Sequence, residues 1–301
     1  MTGGLRGTIE DKEFHYASAV YDLAGTTYIA PARSPYDGGE HEPFYTSKLA
    51  LEYRATDGVL LYAQDSRGVK AGSFNAPTLG GTAYPDSEIP YKPEVLYEYE
   101  LGEKITTLND RLRINSSVFY YYYHDFQAFK IIGITTQVVN VPSKIYGAEM
   151  EVTAKPIAGL TLQASASYTH DRVYDVSIGL PETVTRIAPY TSAWKAGAMA
   201  RYGFPDVFGG TLGIQLDTQY TGSYFYSLTN FDTTKIDDYT LLNARVNWVS
   251  QSGLWEGRLS GENITDKRYN EIGFDFSGLC GCSLTSYGRP IWFNASITRR
   301  F

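Results

Sequence analysis

The sequence predicts an all-β protein, an antiparallel up-and-down β-barrel that crosses a membrane with its strands. Three observations predict it. Apolar and polar residues alternate with period two almost everywhere after about residue 45, which is the period of a strand and not of a helix. The alternating stretches run to about 10–16 residues, whereas strands of soluble domains cluster near roughly 5–6. Short turns alternate with long connections, so every short turn falls at one end of the sheet and every long loop at the other.

Taken in chain order, residues 1–44 read as an N-terminal loop with a possible strand between residues 5 and 23. Residues 45–301 read as barrel. The expected strands are 45–56, 58–71, 91–107, 111–126, 143–155, 160–174, 188–203, 211–224, 236–250, 254–264 and 289–301, about eleven or, with the first, twelve in all. The faces are plain in several of them. RLRINSSVFYYYY sets Leu112, Ile114, Val118, Tyr120 and Tyr122 against Arg113, Asn115 and Ser117. In YGAEMEVTAK, Ala148, Met150, Val152 and Ala154 oppose Glu149, Glu151, Thr153 and Lys155. In LTLQASASYTH, Leu162, Ala164, Ala166 and Tyr168 oppose Gln163, Ser165, Ser167 and Thr169. TLGIQLDTQY and LLNARVNW repeat the habit, while VLLYAQDSR does not resolve. The short turns at 56–58, 108–110, 156–159, 205–210 and 250–253 carry the Gly, Pro, Asn, Asp and Ser that tight hairpins require. The long connections are expected over 72–90, 127–142, 175–187, 225–235 and 265–288.

Composition narrows the class. The net charge is −7, which argues against a nucleic-acid partner. Tyr supplies 26 residues, with 14 Phe and 4 Trp, a usage that suits both pleated surfaces and membrane–water boundaries. No apolar run approaches the roughly 18–20 residues of a spanning helix. MTGGLRGTIEDKEF has no apolar core of a signal peptide. There is no phosphate-binding loop or dinucleotide fingerprint, and His15, His41, His124 and His170 form no constellation with a nucleophile, so no enzyme is expected.

GENITDKRYN, followed by a long loop and YGRPIWFNASITRRF, resembles the last two strands of TonB-dependent outer-membrane receptors. Their Asn-Leu/Ile-x-Asp/Asn-x-x-Tyr box is matched by Asn263, Ile264, Asp266 and Tyr269, and their C-terminal aromatic by Phe301. YKPEVLYEYELGEKITTLNDRLRINSSVFYYYYHDFQ and LLYAQDSRGVKAGSFN are similar to other recurrent stretches of that family, and the resemblance covers residues 45–301. It implies a barrel of about 22 strands with a plugged lumen, of which this chain would be the C-terminal portion, the plug and earlier strands being missing. It further implies an outer membrane of a Gram-negative bacterium and energised uptake of a scarce small molecule, such as a ferric siderophore, another metal chelate or cobalamin. Implied partners are outer-membrane lipid, the barrel assembly machinery that reads the terminal strand ending at Phe301, and the TonB complex acting only through the missing plug. No cofactor and no metal site are implied. Two other readings stay open: a passive porin-like channel of about twelve strands, and a soluble carbohydrate-binding or hydrolytic β-protein.

Loop aromatics offer large contact area at little entropic cost, which makes Phe74, Tyr84, Phe126, Phe129, Phe231, Phe274 and Phe276 candidate ligand contacts. Packing of the loops against each other is the alternative for each. Cys280 and Cys282 are either free surface thiols or a small-ring disulfide, and no His lies near enough in sequence to suggest zinc.

Overall fold

The computed structural model describes residues 1–21, 24–25, 28–76, 85–132, 135–178 and 181–301, with the backbone alone at 18–21, 28–34, 131–132, 135 and 279. Twelve strands form one antiparallel meander in strict sequence order. They are β1 (Thr2–Tyr21), β2 (Tyr28–Thr56), β3 (Val59–Lys70), β4 (Glu94–Thr107), β5 (Leu112–Ile132) and β6 (Thr135–Ala154), then β7 (Leu160–Val176), β8 (Trp194–Val207), β9 (Gly210–Thr221), β10 (Tyr239–Ser250), β11 (Trp255–Glu262) and β12 (Trp292–Arg299). Among the described residues β1 pairs only with β2 and β12 only with β11, so each keeps one open edge. No described helix is long and apolar enough to cross a membrane, which says nothing of crossing by strands.

Directly paired residues share a face, so the register shows whether the apolar rows join. They do. On one face Leu101 faces Val118, which faces Ala148, which faces Tyr168, which faces Trp194. Further along, Ala200 faces Leu216, which faces Ala244, and Val246 faces Leu259, which faces Ala295. This face leaves Leu101, Met150, Leu216, Leu259 and Ile297 largely uncovered by protein, which in water would be an unsustainably large apolar patch. Asp65 and Glu103 are exceptions within it, Glu103 accepting a bond from the Ser116 hydroxyl at 2.9 Å. VLLYAQDSR failed to resolve by pattern because Asp65 sits among the outward residues Leu61 and Ala63.

The opposite face is polar and internally bonded. Ser66 donates to Glu98 at 2.6 Å, Tyr62 to Glu100, and Asn243 and Gln215 both donate to Asp217 at 2.9 Å. Arg258 and Arg300 flank Glu256 at 2.7 and 3.2 Å.

The short turns lie at one end. At Leu108, Asn109 and Asp110 three successive residues adopt left-handed φ of 54–63°, the conformation Asn and Asp tolerate best. Gly58 is required sterically, since a Cβ there would lie 2.2 Å from the Thr106 carbonyl oxygen.

The far end differs from the sequence expectation in three places. Residues 28–44 are strand, pairing with β1, which makes β2 29 residues long. Residues 127–142 were expected as one of the long connections. Instead β5 and β6 run on as a hairpin, after a register shift between Tyr123 and Phe126 where Asp125 takes φ 57°. The bulge absorbs the interruption, and Val138, Val139 and Val141 continue the ladder. Residues 188–193, expected as strand, are irregular, and β8 starts at Trp194. Crossing a bilayer takes about 9–11 tilted residues. The 20, 29, 21 and 20 residues of β1, β2, β5 and β6 are well beyond that length.

Candidate functional site at the loop end

The connections at the long-loop end are tied to one another by side-chain amides, Asn75 and Gln127 buried and Asn140 and Asn230 half-buried. In the β3–β4 loop, Asn75 is 5% exposed; its amide donates to the carbonyls of Glu88 at 3.0 Å and Val138 at 2.9 Å and accepts from the Val138 N–H at 2.7 Å. Gln127 donates to the Ala71 and Lys92 carbonyls, and its own N–H bonds Glu94 at 2.7 Å. Asn140 accepts from the Lys92 N–H at 2.8 Å and donates to Lys92 and Asp125. Together these amides bind the β3–β4 loop to the β5–β6 hairpin along its length.

The β7–β8 and β9–β10 loops are joined the same way. Asn230 accepts from the Ile187 N–H at 2.7 Å and donates to its carbonyl at 3.0 Å. Beneath them Val141, Val173, Val176, Ala188 and Leu228 form a small apolar core. A second one holds Tyr224, Tyr226 and Ile236.

The last connection, 263–291, carries its own hairpin, Asn270–Phe276 against Cys282–Tyr287, joined by one helical turn. It docks through Asp275, which accepts from Ser227 at 3.0 Å and Thr229 at 2.8 Å. Burial pushes the Asp275 carboxyl up, but hydrogen bonds from Ser277, Thr229 and Ser227 more than reverse that, and it lies below the ordinary carboxylate range.

The candidate aromatics do not converge into one cluster. Phe74 stacks on Phe14 with centroids 5.1 Å apart. Phe126 packs against the loop core and edge-on to Tyr123. Phe274 stacks on Phe276 at 6.2 Å and is 52% exposed; Phe129 and Phe231 are also exposed, at 52% and 37%. Tyr84 lies outside the described residues. Cys280 and Cys282 are joined by a disulfide at the hairpin tip. Among the described residues no group of three or more His, Cys, Asp or Glu is arranged to hold a metal ion.

Asn263, Asp266 and Tyr269 lie where β11 leaves the sheet. Asn263, 4% exposed with φ 49°, accepts from the Lys267 N–H at 2.9 Å and donates to the carbonyls of Lys267 and Arg289 at 3.0 and 3.1 Å. Asp266 accepts from the Ile291 N–H at 3.1 Å, and Tyr269 stacks on Tyr239 at 4.4 Å. The turn thereby pins the entry to β12 against the exit from β11. Phe301 is fully exposed, with the Arg299 guanidinium 4.9 Å from its ring centroid.

Sequence reasoning missed the amide staples Asn75, Gln127, Asn140 and Asn230. An Asn or Gln in a loop reads as turn chemistry, and nothing local reveals a partner tens of residues away.

A family model described as TonB dependent receptor-like, beta-barrel matches residues 2–264. Solved structures similar to the chain include the ferric yersiniabactin uptake receptor FyuA from Yersinia pestis, at 18% identity and TM-score 0.78, covering 99% of this chain and 43% of that one. The ferric preacinetobactin receptor BauA from Acinetobacter baumannii is similar at 16% identity and TM-score 0.65, covering 98% and 40%. The copper transporter OprC is similar at 15% identity and TM-score 0.69, covering 99% and 46%. At such identities the likeness establishes the fold, and the chain spans less than half the length of each.

Proposed function

Because the chain belongs to the TonB-dependent receptor β-barrel family, we propose that it is barrel wall and outer loops of an outer-membrane receptor that captures a metal chelate, a ferric siderophore being the first candidate. The observation that supports this best is the two-faced sheet with all its elaborated, mutually bonded connections at one end. The apolar face meets lipid and the polar face lines the lumen. The projecting hairpins form a rigid vestibule on the outside.

A vestibule held by amide hydrogen bonds between its loops loses little entropy on binding, which is how high affinity for a dilute ligand is obtained. Exposed Phe129, Phe231 and Phe274 would supply the contacts, with Tyr84 a further candidate from its sequence, and Phe74, Phe126 and Phe276 would support them. The open edges of β1 and β12 are where further strands of a whole receptor would pair, since unpaired backbone in hydrocarbon costs several kcal/mol per group. Phe301 and the pinned terminal strand would be read by the barrel assembly machinery, and the TonB complex would act through a plug. The protein performs no covalent chemistry on its ligand in this reading.

The test is uptake by cells in which the gene is deleted and then restored, supplied with a panel of radio-iron-labelled chelates. Loss and recovery of uptake for one chelate supports the reading. Unchanged uptake of every chelate, together with free diffusion of small sugars through the reconstituted protein, would replace it with a passive channel.

A further inference from the structure

On the lipid face, the β6–β7 hairpin forms a ladder of directly paired residues. Upward from its turn they are Ala154 with Leu162, Val152 with Ala164, Met150 with Ala166, Ala148 with Tyr168, Tyr146 with His170, and Lys144 with Arg172. Four apolar rungs are followed by an aromatic one and then by two cations. Ten residues separate the first rung from the last; at about 3.3 Å each and a tilt near 45°, this is a rise of about 23 Å. The apolar band of such barrels is about 25 Å tall. The cationic rung therefore lies at the outer boundary of the hydrocarbon, where lipid headgroups sit. The neighbouring strand agrees, since Trp194 of β8 pairs with Tyr168 two rungs below.

Two cations directly opposed across an antiparallel pair repel each other. Among the described residues no salt bridge offsets this, and only the Asp171 carboxylate attracts Arg172 from a distance. Neither Lys144 nor Arg172 is ion-paired among the described residues. The carboxylate of Asp171 is on the other face, buried and bonded to the Ala188 N–H. Asp125 is engaged by His124, its oxygen 2.9 Å from Nδ1. Arg172 spends one N–H on the Asp171 carbonyl at 2.8 Å, and Lys144 lies 5.8 Å from the Tyr174 ring centroid. Below them His170 stacks on Tyr146 with centroids 4.7 Å apart.

We propose that Lys144 and Arg172 form a binding site for a phosphate carried on a lipid of the outer leaflet, an inference that rests on the outer-membrane reading above. The guanidinium offers a planar fork and the ammonium a movable point charge, which together suit a tetrahedral anion. Tyr146, Tyr168 and Tyr174 border the site with amphipathic rings that suit the headgroup–acyl boundary. The anion removes the repulsion within the rung and holds one lipid against this hairpin.

The experiment uses the full-length protein in phosphatidylcholine nanodiscs doped with lipid A, either bearing both phosphates or fully dephosphorylated, with bound lipid counted by native mass spectrometry. Wild-type protein enriches the phosphorylated form about tenfold over the dephosphorylated one; Lys144→Gln with Arg172→Gln abolishes the preference, and the charge-conserving pair Lys144→Arg with Arg172→Lys keeps it. Equal enrichment in wild type and the double Gln variant overturns the site. So does loss of enrichment when millimolar inorganic phosphate is added, which would make the ligand a soluble anion. Gel mobility that changes on heating reports a folded, embedded barrel separately. A protein that never embeds refutes the outer-membrane reading and this inference with it, whereas an embedded protein without the preference refutes this inference alone.

Discussion

Ala166 gives a direct measure of which face meets lipid. It pairs with Met150 on one side and Ala196 on the other, four residues above Leu162 and six below Arg172. With about 3.3 Å per residue and a 45° tilt, it stands about 9 Å above the lower rung and about 14 Å below the cationic one. That is close to the middle of the apolar band. An arginine there costs about 2–4 kcal/mol, a reduction of roughly 30- to 1000-fold in the folding equilibrium. The adjacent Ser167 points to the polar face between Glu149 and Lys195, so Ser167→Arg gains one attractive and one repulsive neighbour and costs about 0–1 kcal/mol. The assay is reversible urea unfolding of the full-length protein in lipid vesicles, followed by tryptophan fluorescence. The reasoning predicts a large loss for Ala166→Arg and a small change for Ser167→Arg. Equal losses, or the larger loss at Ser167, would mean the faces are assigned the wrong way round.

Further outcomes follow from the loop end. Asn263→Ala removes three side-chain hydrogen bonds and places alanine at φ 49°, at a cost of about 3 kcal/mol; pulse-labelled protein should then convert more slowly to the folded, heat-sensitive gel form. Asp275 has a folded value below that of the unfolded chain, so its contribution is present above about pH 4 and lost as pH falls through the folded value. Pepsin should accordingly cut within 263–291 more readily as pH drops below about 4, and Asp275→Asn should remove that pH step while leaving the hairpin more open at neutral pH. Phe231→Ala and Phe274→Ala, at exposed rings, should weaken binding of the captured chelate without moving the unfolding midpoint. A shift in midpoint with unchanged binding would assign both rings to loop packing.

How much of this was legible in the chain depends on the range of the interaction. Alternation is a property of neighbours two residues apart, so the faces of β5, β6, β7, β9 and β10 could be read residue by residue, and the joined apolar face bears that reading out. Turn chemistry is equally local, and the tight turns lie where Gly58 and Asn109 announce them. The Asn263-to-Tyr269 motif was visible as a pattern, but its geometry was not. The tie from Asn263 to the Arg289 carbonyl closes a gap of 26 residues.

Tertiary structure decided what depends on distant partners. The bulge at Asp125 lets β5 run on as strand to Ile132 and β6 pass through Pro142, because a ladder partner outweighs a weak local preference. Residues 28–44 become strand only because β1 lies alongside them. Asn75, Gln127, Asn140 and Asn230 acquire roles only when strands far apart in sequence set their loops side by side. The pairing of Lys144 with Arg172 is of the same kind. Each is an ordinary basic residue in its own strand, and only the register makes them face each other. Two-residue periodicity says which way a side chain points, but what it meets there depends on which strand lies beside it and in what register.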